Sequence, residues 1–295
     1  MSVSCSHPIV AALALMLLTV AGPASATDHT VARGTYLVRA GGCFSCHTAP
    51  GGAPLAGGRA LATPFGTFFS PNITPDLATG IGSWTDAQFR RALREGVRPD
   101  GANYFPVFPY PSFTGISDDD ALAIKTYLFS LPPVRQVNRE HDVSFPFSWR
   151  FLQNAWKLLF FDPGPFQPEA NQAAAYNRGA YLVTALAHCG ECHTPRNVLG
   201  AVDADRRLAG TADGPDGQPV PNITPDPVTG IGGWDKSDLI VLLKTGLTPE
   251  QNKVRGAMRE AIDDGIKHLS DSDLDAIADY LLAQKPIVLE VTRRR

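Results

Sequence analysis

Two short runs concentrate the side chains that can do chemistry: Cys43-Phe44-Ser45-Cys46-His47 and Cys189-Gly190-Glu191-Cys192-His193. Each is C-x-x-C-H, the attachment sequence of c-type haem. Two thiols three positions apart reach the two vinyl groups of one porphyrin, and the adjacent histidine presents an imidazole nitrogen to the iron. The expected cofactor is therefore two covalently bound haem c, tethered by Cys43, Cys46, Cys189 and Cys192, with His47 and His193 as iron ligands. Three other readings of the cysteines are weaker. A thioredoxin-like C-x-x-C sits near a βαβ pattern, which this sequence lacks. A four-thiolate zinc site would have to join pairs whose first cysteines are 146 residues apart. Disulfides closing such small loops gain little stability.

The elements that must hold these runs come in two copies. RGTYLVRAGGCFSCHTAP from Arg33 matches RGAYLVTALAHCGECHTP from Arg178, and PNITPDLATGIGSW from Pro71 matches PNITPDPVTGIGGW from Pro221. One unit duplicated in tandem is the simplest source, and each copy is long enough to close a core. Tyr36, Leu37 and Ala40, like Tyr181, Leu182 and Ala185, have the spacing of an apolar helix stripe. Thr85-Asp86 and Asp235 start short helices. Ser117-Asp118-Asp119-Asp120 and Ser270-Asp271-Ser272-Asp273 cap helices over 121–130 and 274–283, with acids at the positive helix end. Strand signals are weak throughout, so the expected fold class is all-α.

Composition bounds the rest. The chain has 295 residues, 44% hydrophobic and 19% charged, with a formal charge of −3, so it is globular and offers no basic field for a nucleic acid. Residues 1–26 contain no Lys, Arg, Asp or Glu, and an apolar run from Ile9 to Val20 ends near Ala24-Ser25-Ala26. This reads as an export signal peptide, with an uncleaved anchor as its alternative, and implies a periplasmic protein. Removing it leaves Met258 as the sole methionine. The expected domains are 27–131 and 177–290, joined by a linker over 132–176. That linker holds Phe145, Phe147, Trp149, Phe151, Trp156, Leu158, Leu159, Phe160, Phe161 and Phe166. It is too apolar for water, and reads either as core at the domain junction or as a surface for a partner or membrane.

Other residues shared by the copies fit a haem site. Trp84 and Trp234 each offer an indole N–H, suited to a haem propionate or a buried carbonyl, and Asn72 and Asn222 offer amides for the same purposes. The Pro71 and Pro221 carbonyls are candidates to accept the Nδ1–H of each histidine. Turn and core chemistry is the competing account of all six.

RGTYLV, TPFGTFFSPNITPD, TGIGSW, FPVFPY, LPPV, FPFSWR, NRGAYLV and HCGECHTPRNVLG together resemble the cytochrome c subunits of bacterial membrane-associated periplasmic dehydrogenases, those accompanying alcohol, gluconate and isoquinoline dehydrogenases among them. The resemblance runs from about Arg33 to Pro286. It implies two tandem class I-like cytochrome c domains that carry electrons from a catalytic dehydrogenase subunit of molybdenum, PQQ or flavin type to a quinone, oxidase or other respiratory acceptor; on the surface reading of the aromatic linker, that segment makes peripheral membrane contact. Many members carry three haems, whereas this sequence has two motifs. Members also often place a methionine ligand in a YPAMPY-like stretch. Here the stretch ends Pro106-Val107-Phe108-Pro109-Tyr110, and Phe108 stands where that sulfur would be.

Met258 is accordingly expected to pair with His193 at the second haem, and the first haem to have a vacant or non-methionine sixth site. His141 is a candidate donor there, while His188 and His268 read as structural or exposed. The missing methionine also supports a rival class, a self-contained haem enzyme resembling a peroxidase or thiosulfate oxidoreductase, with an open first iron. One methionine allows one His/Met haem. A low-temperature paramagnetic spectrum of the mature chain should show no more than one such low-spin signal, and two would overturn the methionine count.

Overall fold

The computed structural model describes residues 1–2 and 26–292. The leader expected over 1–26 lies, apart from its ends, outside the described residues. The remainder folds as helix α1 (Ala26–Ala40), the haem-motif turn α2 (Cys43–His47), strands β1 (Ala60–Thr63) and β2 (Gly66–Phe69), then α3 (Asp86–Glu95), α4 (Tyr110–Phe113) and α5 (Asp118–Ser130). After β3 (Asp142–Val143) and α6 (Leu152–Phe160) come α7 (Ala174–Tyr181), the second motif turn α8 (Gly190–His193), α9 (Lys236–Thr245), α10 (Gly256–Asp264) and α11 (Asp271–Leu282).

The helix starts follow local capping chemistry. Thr85 accepts from the Gln88 N–H and Gln88 answers the Thr85 N–H, while Asp235 and Asp238 form the same reciprocal box. Ser117 and Ser270 cap α5 and α11 by accepting from the Asp120 and Asp273 N–H groups.

The all-α expectation needs one correction. β1, β2 and β3 form a small antiparallel sheet in that order, with Ala60 opposite Phe69 and Gly66 opposite Val143. The strands are too short for period-two alternation to show, and β3 pairs across more than 70 residues of sequence, beyond any local window.

α1 packs on α5, and α7 on α11, at close range. A Cβ on Gly34 would collide with the Ala123 carbonyl oxygen, and one on Gly179 with that of Ala276, so only glycine permits either approach. The apolar core is continuous: Val38, Ile116 and Ile124 belong to one cluster with Leu182, Leu186, Ile262 and Leu274. Segment 132–176 divides between the two readings of its aromatics. Phe166 packs on Tyr181 and Trp156 on Tyr110, whereas Phe145, Phe147, Trp149, Phe151, Leu158 and Leu159 are exposed, Leu158 to 87%. The core reading is therefore corrected for those six residues, which lie on a non-helical run and on α6.

Two buried carboxylates tie the halves together. Asp120 accepts from Arg33 Nε at 2.8 Å and from the Tyr181 hydroxyl at 2.5 Å. Asp273 accepts from Arg178 Nε at 2.8 Å and from the Tyr36 hydroxyl at 2.6 Å. Each carboxylate thus takes an arginine from its own copy of the repeat and a tyrosine from the other. Burial pushes the Asp273 carboxyl up, but the Arg178 and Tyr36 bonds more than reverse this and hold it below the ordinary carboxylate range. Its stabilisation is complete above the unfolded value of about 4 and is lost as pH falls through the depressed folded value. Denaturation of Asp273→Asn should show a loss of about 2 kcal/mol at pH 7, and a shallower decline in stability on acidification than the native chain.

Candidate haem-binding site

Each motif turn is built around the same loop. The histidine carbonyl accepts an N–H at 2.7 Å, from Gly57 onto His47 and from Gly210 onto His193. Gly57 and Gly210 have φ of 77° and 84°, and a Cβ on either would run into the next proline carbonyl carbon or asparagine nitrogen. Glycine alone lets the Pro71 and Pro221 segments return so closely. Thr48 and Thr194, directly after the histidines, accept from the Leu55 and Leu208 N–H groups at 3.1 Å and pin the loop's start. The threonines and glycines were not singled out from sequence, although C-H-T recurs in both copies.

This return fixes the imidazoles. His47 Nδ1 lies 2.8 Å from the Pro71 carbonyl oxygen, and His193 Nδ1 lies 2.8 Å from that of Pro221, as the sequence led us to expect. A carbonyl can only accept, so each Nδ1 carries the proton and each Nε2 keeps its lone pair for a metal. Burial draws both rings below the ordinary histidine value and keeps them neutral. Cys43 and Cys189 are free thiols that burial pushes up to about 12, so they are protonated near neutrality. Among the described residues no three of His, Cys, Asp and Glu are grouped to hold one ion, which disfavours a zinc site shared by the two pairs.

The other residues sort by how their polar atoms are used. Asn72 donates its amide to Thr79 Oγ1 and the Val134 carbonyl and accepts from Thr74. Asn222 does the same with Thr229, Ile287 and Thr224. Of the two partners expected for them, the buried carbonyl is the one present, and the propionate contact drops away because both amide hydrogens are taken. Trp84 and Trp234 are partly buried against the core. Among the described residues Tyr110 Oη is buried without a partner, on a ring packed against Trp156 and Phe161. The donor set at each turn, two thiols and an imidazole whose Nε2 is free, fits haem c.

Phe108 stacks edge-on against Tyr104 at 5.4 Å and Phe113 at 5.8 Å. Met258 lies on α10, partly buried against the core. His141 is corrected as an iron donor for the first site: its Nδ1 accepts the Phe69 N–H at 3.2 Å, so the neutral ring carries its proton on Nε2. Burial, followed by Arg150 and Arg98, lowers it to about 4. His268 is exposed, but His188 packs between the halves: its ring stands edge-on to Phe113 at 5.2 Å and its Nε2 is 3.3 Å from the Gly41 carbonyl. The third residue of each motif also reaches across. Ser45 donates to Asp264 at 3.1 Å, and Glu191 accepts from Ser112 at 2.6 Å.

Asn72→Ala should strand the Thr74 N–H and lower stability by about 2 kcal/mol in chemical denaturation. Asn222→Ala should cost a similar amount, and neither should change the number of covalent haems.

No protein-family model matches the chain. It is 40% identical over 281 residues to the gluconate 2-dehydrogenase cytochrome c subunit of Pantoea cypripedii, covering 91% of this chain and 64% of that protein. A diheme cytochrome c-type protein of Cereibacter sphaeroides is 42% identical over 255 residues, with 84% of each chain covered. The fructose dehydrogenase cytochrome subunit of Gluconobacter japonicus is 42% identical over 262 residues, covering 88% of this chain. The chain spans 53% of that last relative's length.

Proposed function

We propose, because this chain belongs to the family of dehydrogenase cytochrome c subunits, that it is a dihaem electron carrier made of two tandem units, 27–131 and 177–290. It takes electrons from a catalytic dehydrogenase subunit of molybdenum, PQQ or flavin type and passes them to a quinone, oxidase or other respiratory acceptor. A periplasmic location goes with this reading, as does peripheral membrane contact through the exposed aromatics of 132–176. Among the described residues no helix is long and apolar enough to cross a membrane.

The observation that carries the reading is the repeated pair of histidines with Nδ1 committed to a proline carbonyl. Bound at the two turns, haem c supplies a one-electron ferric/ferrous couple. Cys43, Cys46, Cys189 and Cys192 would anchor it, and His47 and His193 would ligate it. The proline carbonyls hold each ring's orientation and raise its basicity. Trp84 and Trp234 offer donors to its propionates, and Met258 a sulfur to the second iron.

The rival reading, a self-contained haem enzyme, needs a group beside Phe108 able to exchange protons. Tyr104 there has its hydroxyl pushed up to about 12 by burial, and Phe113 has none. Transfer without turnover is the better account.

Expressed with export and c-type maturation, the chain should carry two haems by pyridine haemochrome assay, and one after Cys189→Ala with Cys192→Ala. Met258→Ala should remove the His/Met signature and lower a single potential. A colourless exported chain, or one that oxidises substrate or consumes peroxide with no dehydrogenase present, would sink the proposal.

A further inference from the structure

His188 stands immediately before Cys189, where the first copy has Gly42 before Cys43. Both positions are left-handed, with φ of 64° at Gly42 and 41° at His188. Glycine takes this conformation freely, whereas a residue with a Cβ is strained there. The strain at His188 therefore accompanies something the imidazole supplies and a glycine cannot.

The chain leading to His188 is also distorted. The repeat offset is 145 residues at Arg33 and Arg178 but 146 at the first cysteines. The extra residue is absorbed by a π-helical turn, Leu182–Leu186, in which the Ala187 N–H donates five residues back to the Leu182 carbonyl at 2.7 Å. In the first copy the Gly41 N–H donates four back, to Leu37, at 2.8 Å. There the second copy lies against the first: a Cβ on Gly41 would lie 3.6 Å from the Leu186 carbonyl oxygen, and one on Gly42 3.9 Å from His188 Nε2.

The Gly41 carbonyl can only accept, so His188 Nε2 is the donor across the 3.3 Å contact. Phe113 closes one side of the ring, and burial keeps the imidazole below its ordinary value and neutral.

We propose that His188 is the bridge between the two haem-binding turns, its Nε2–H···O=C bond to Gly41 completing a covalent and hydrogen-bonded path from Cys189 to Cys43 for electron exchange between the sites. The inference rests on the dihaem reading above. In each exchange one electron moves, oxidising the ferrous iron it leaves and reducing the ferric iron it reaches. No bond forms or breaks and the imidazole keeps its proton, so His188 is a positioning residue rather than a redox group.

The test is intramolecular electron exchange in the haem-loaded full chain, followed after flash photoreduction. His188→Phe retains a ring against Phe113 and removes the donor. His188→Asn relaxes the left-handed backbone and is too short to reach Gly41. Both should carry two covalent haems at native potentials and exchange electrons severalfold more slowly. Native exchange rates in either variant would overturn the bridge, and so would a slowing accompanied by a shifted potential, since the driving force would then account for it. In the unmodified protein, NMR should show a slowly exchanging His188 Nε2–H proton, and a freely exchanging one would overturn the inference without any variant having to fold. Failure of the dihaem reading itself would be visible earlier, as absent covalent haem absorbance.

Discussion

The arrangement of the molecule depends on two carboxylates that have left water. Asp120 and Asp273 each bind an arginine of their own repeat and a tyrosine of the other. A buried carboxylate is tolerated only when its oxygens are satisfied, and here satisfaction requires both halves at once. Separating the halves would strip each aspartate of its tyrosine. The crossed tyrosines therefore fix how the two haem-motif helices face each other, more specifically than the non-directional apolar cluster around them can.

Around that junction the two sites are assembled from turns rather than from long elements. A histidine carbonyl receives a glycine N–H, the chain returns through a proline, and the proline carbonyl receives the histidine Nδ1–H. Asparagine and threonine side chains then tie the PNIT turn to the segments after α5 and α11, at Val134 and Ile287. Each turn is thus held to the far end of its own repeat. Loops whose buried amide and hydroxyl groups are tied to their own repeat in this way are held rigid.

Departures from the repeat occur where the copies meet. The π-helical turn before α8, the left-handed His188 and the Ser45 and Glu191 contacts all lie at the junction of the motif turns. A duplicated unit begins with two equal surfaces, and seating one against the other requires them to differ. The exposed aromatics of 132–176 are a separate feature: they face away from the core and leave an apolar surface open.

The attachment motifs and most of the helices are legible along the chain. C-x-x-C-H, the capping residues Thr85, Ser117, Asp235 and Ser270, and the twice-written PNITPD turn act over a few residues, so their geometry is encoded where they stand. The Nδ1 contacts to Pro71 and Pro221 were legible because the repeat marked both partners. Tertiary structure alone decided which donors remain unmatched, where the two strands at 60–69 find a third at 142–143, and which linker aromatics are covered. It also decided that His188, to all appearance a bystander beside a motif, touches the opposite motif 147 residues away. These outcomes depend on contacts between residues far apart along the chain, and no local pattern of residue types carries that information.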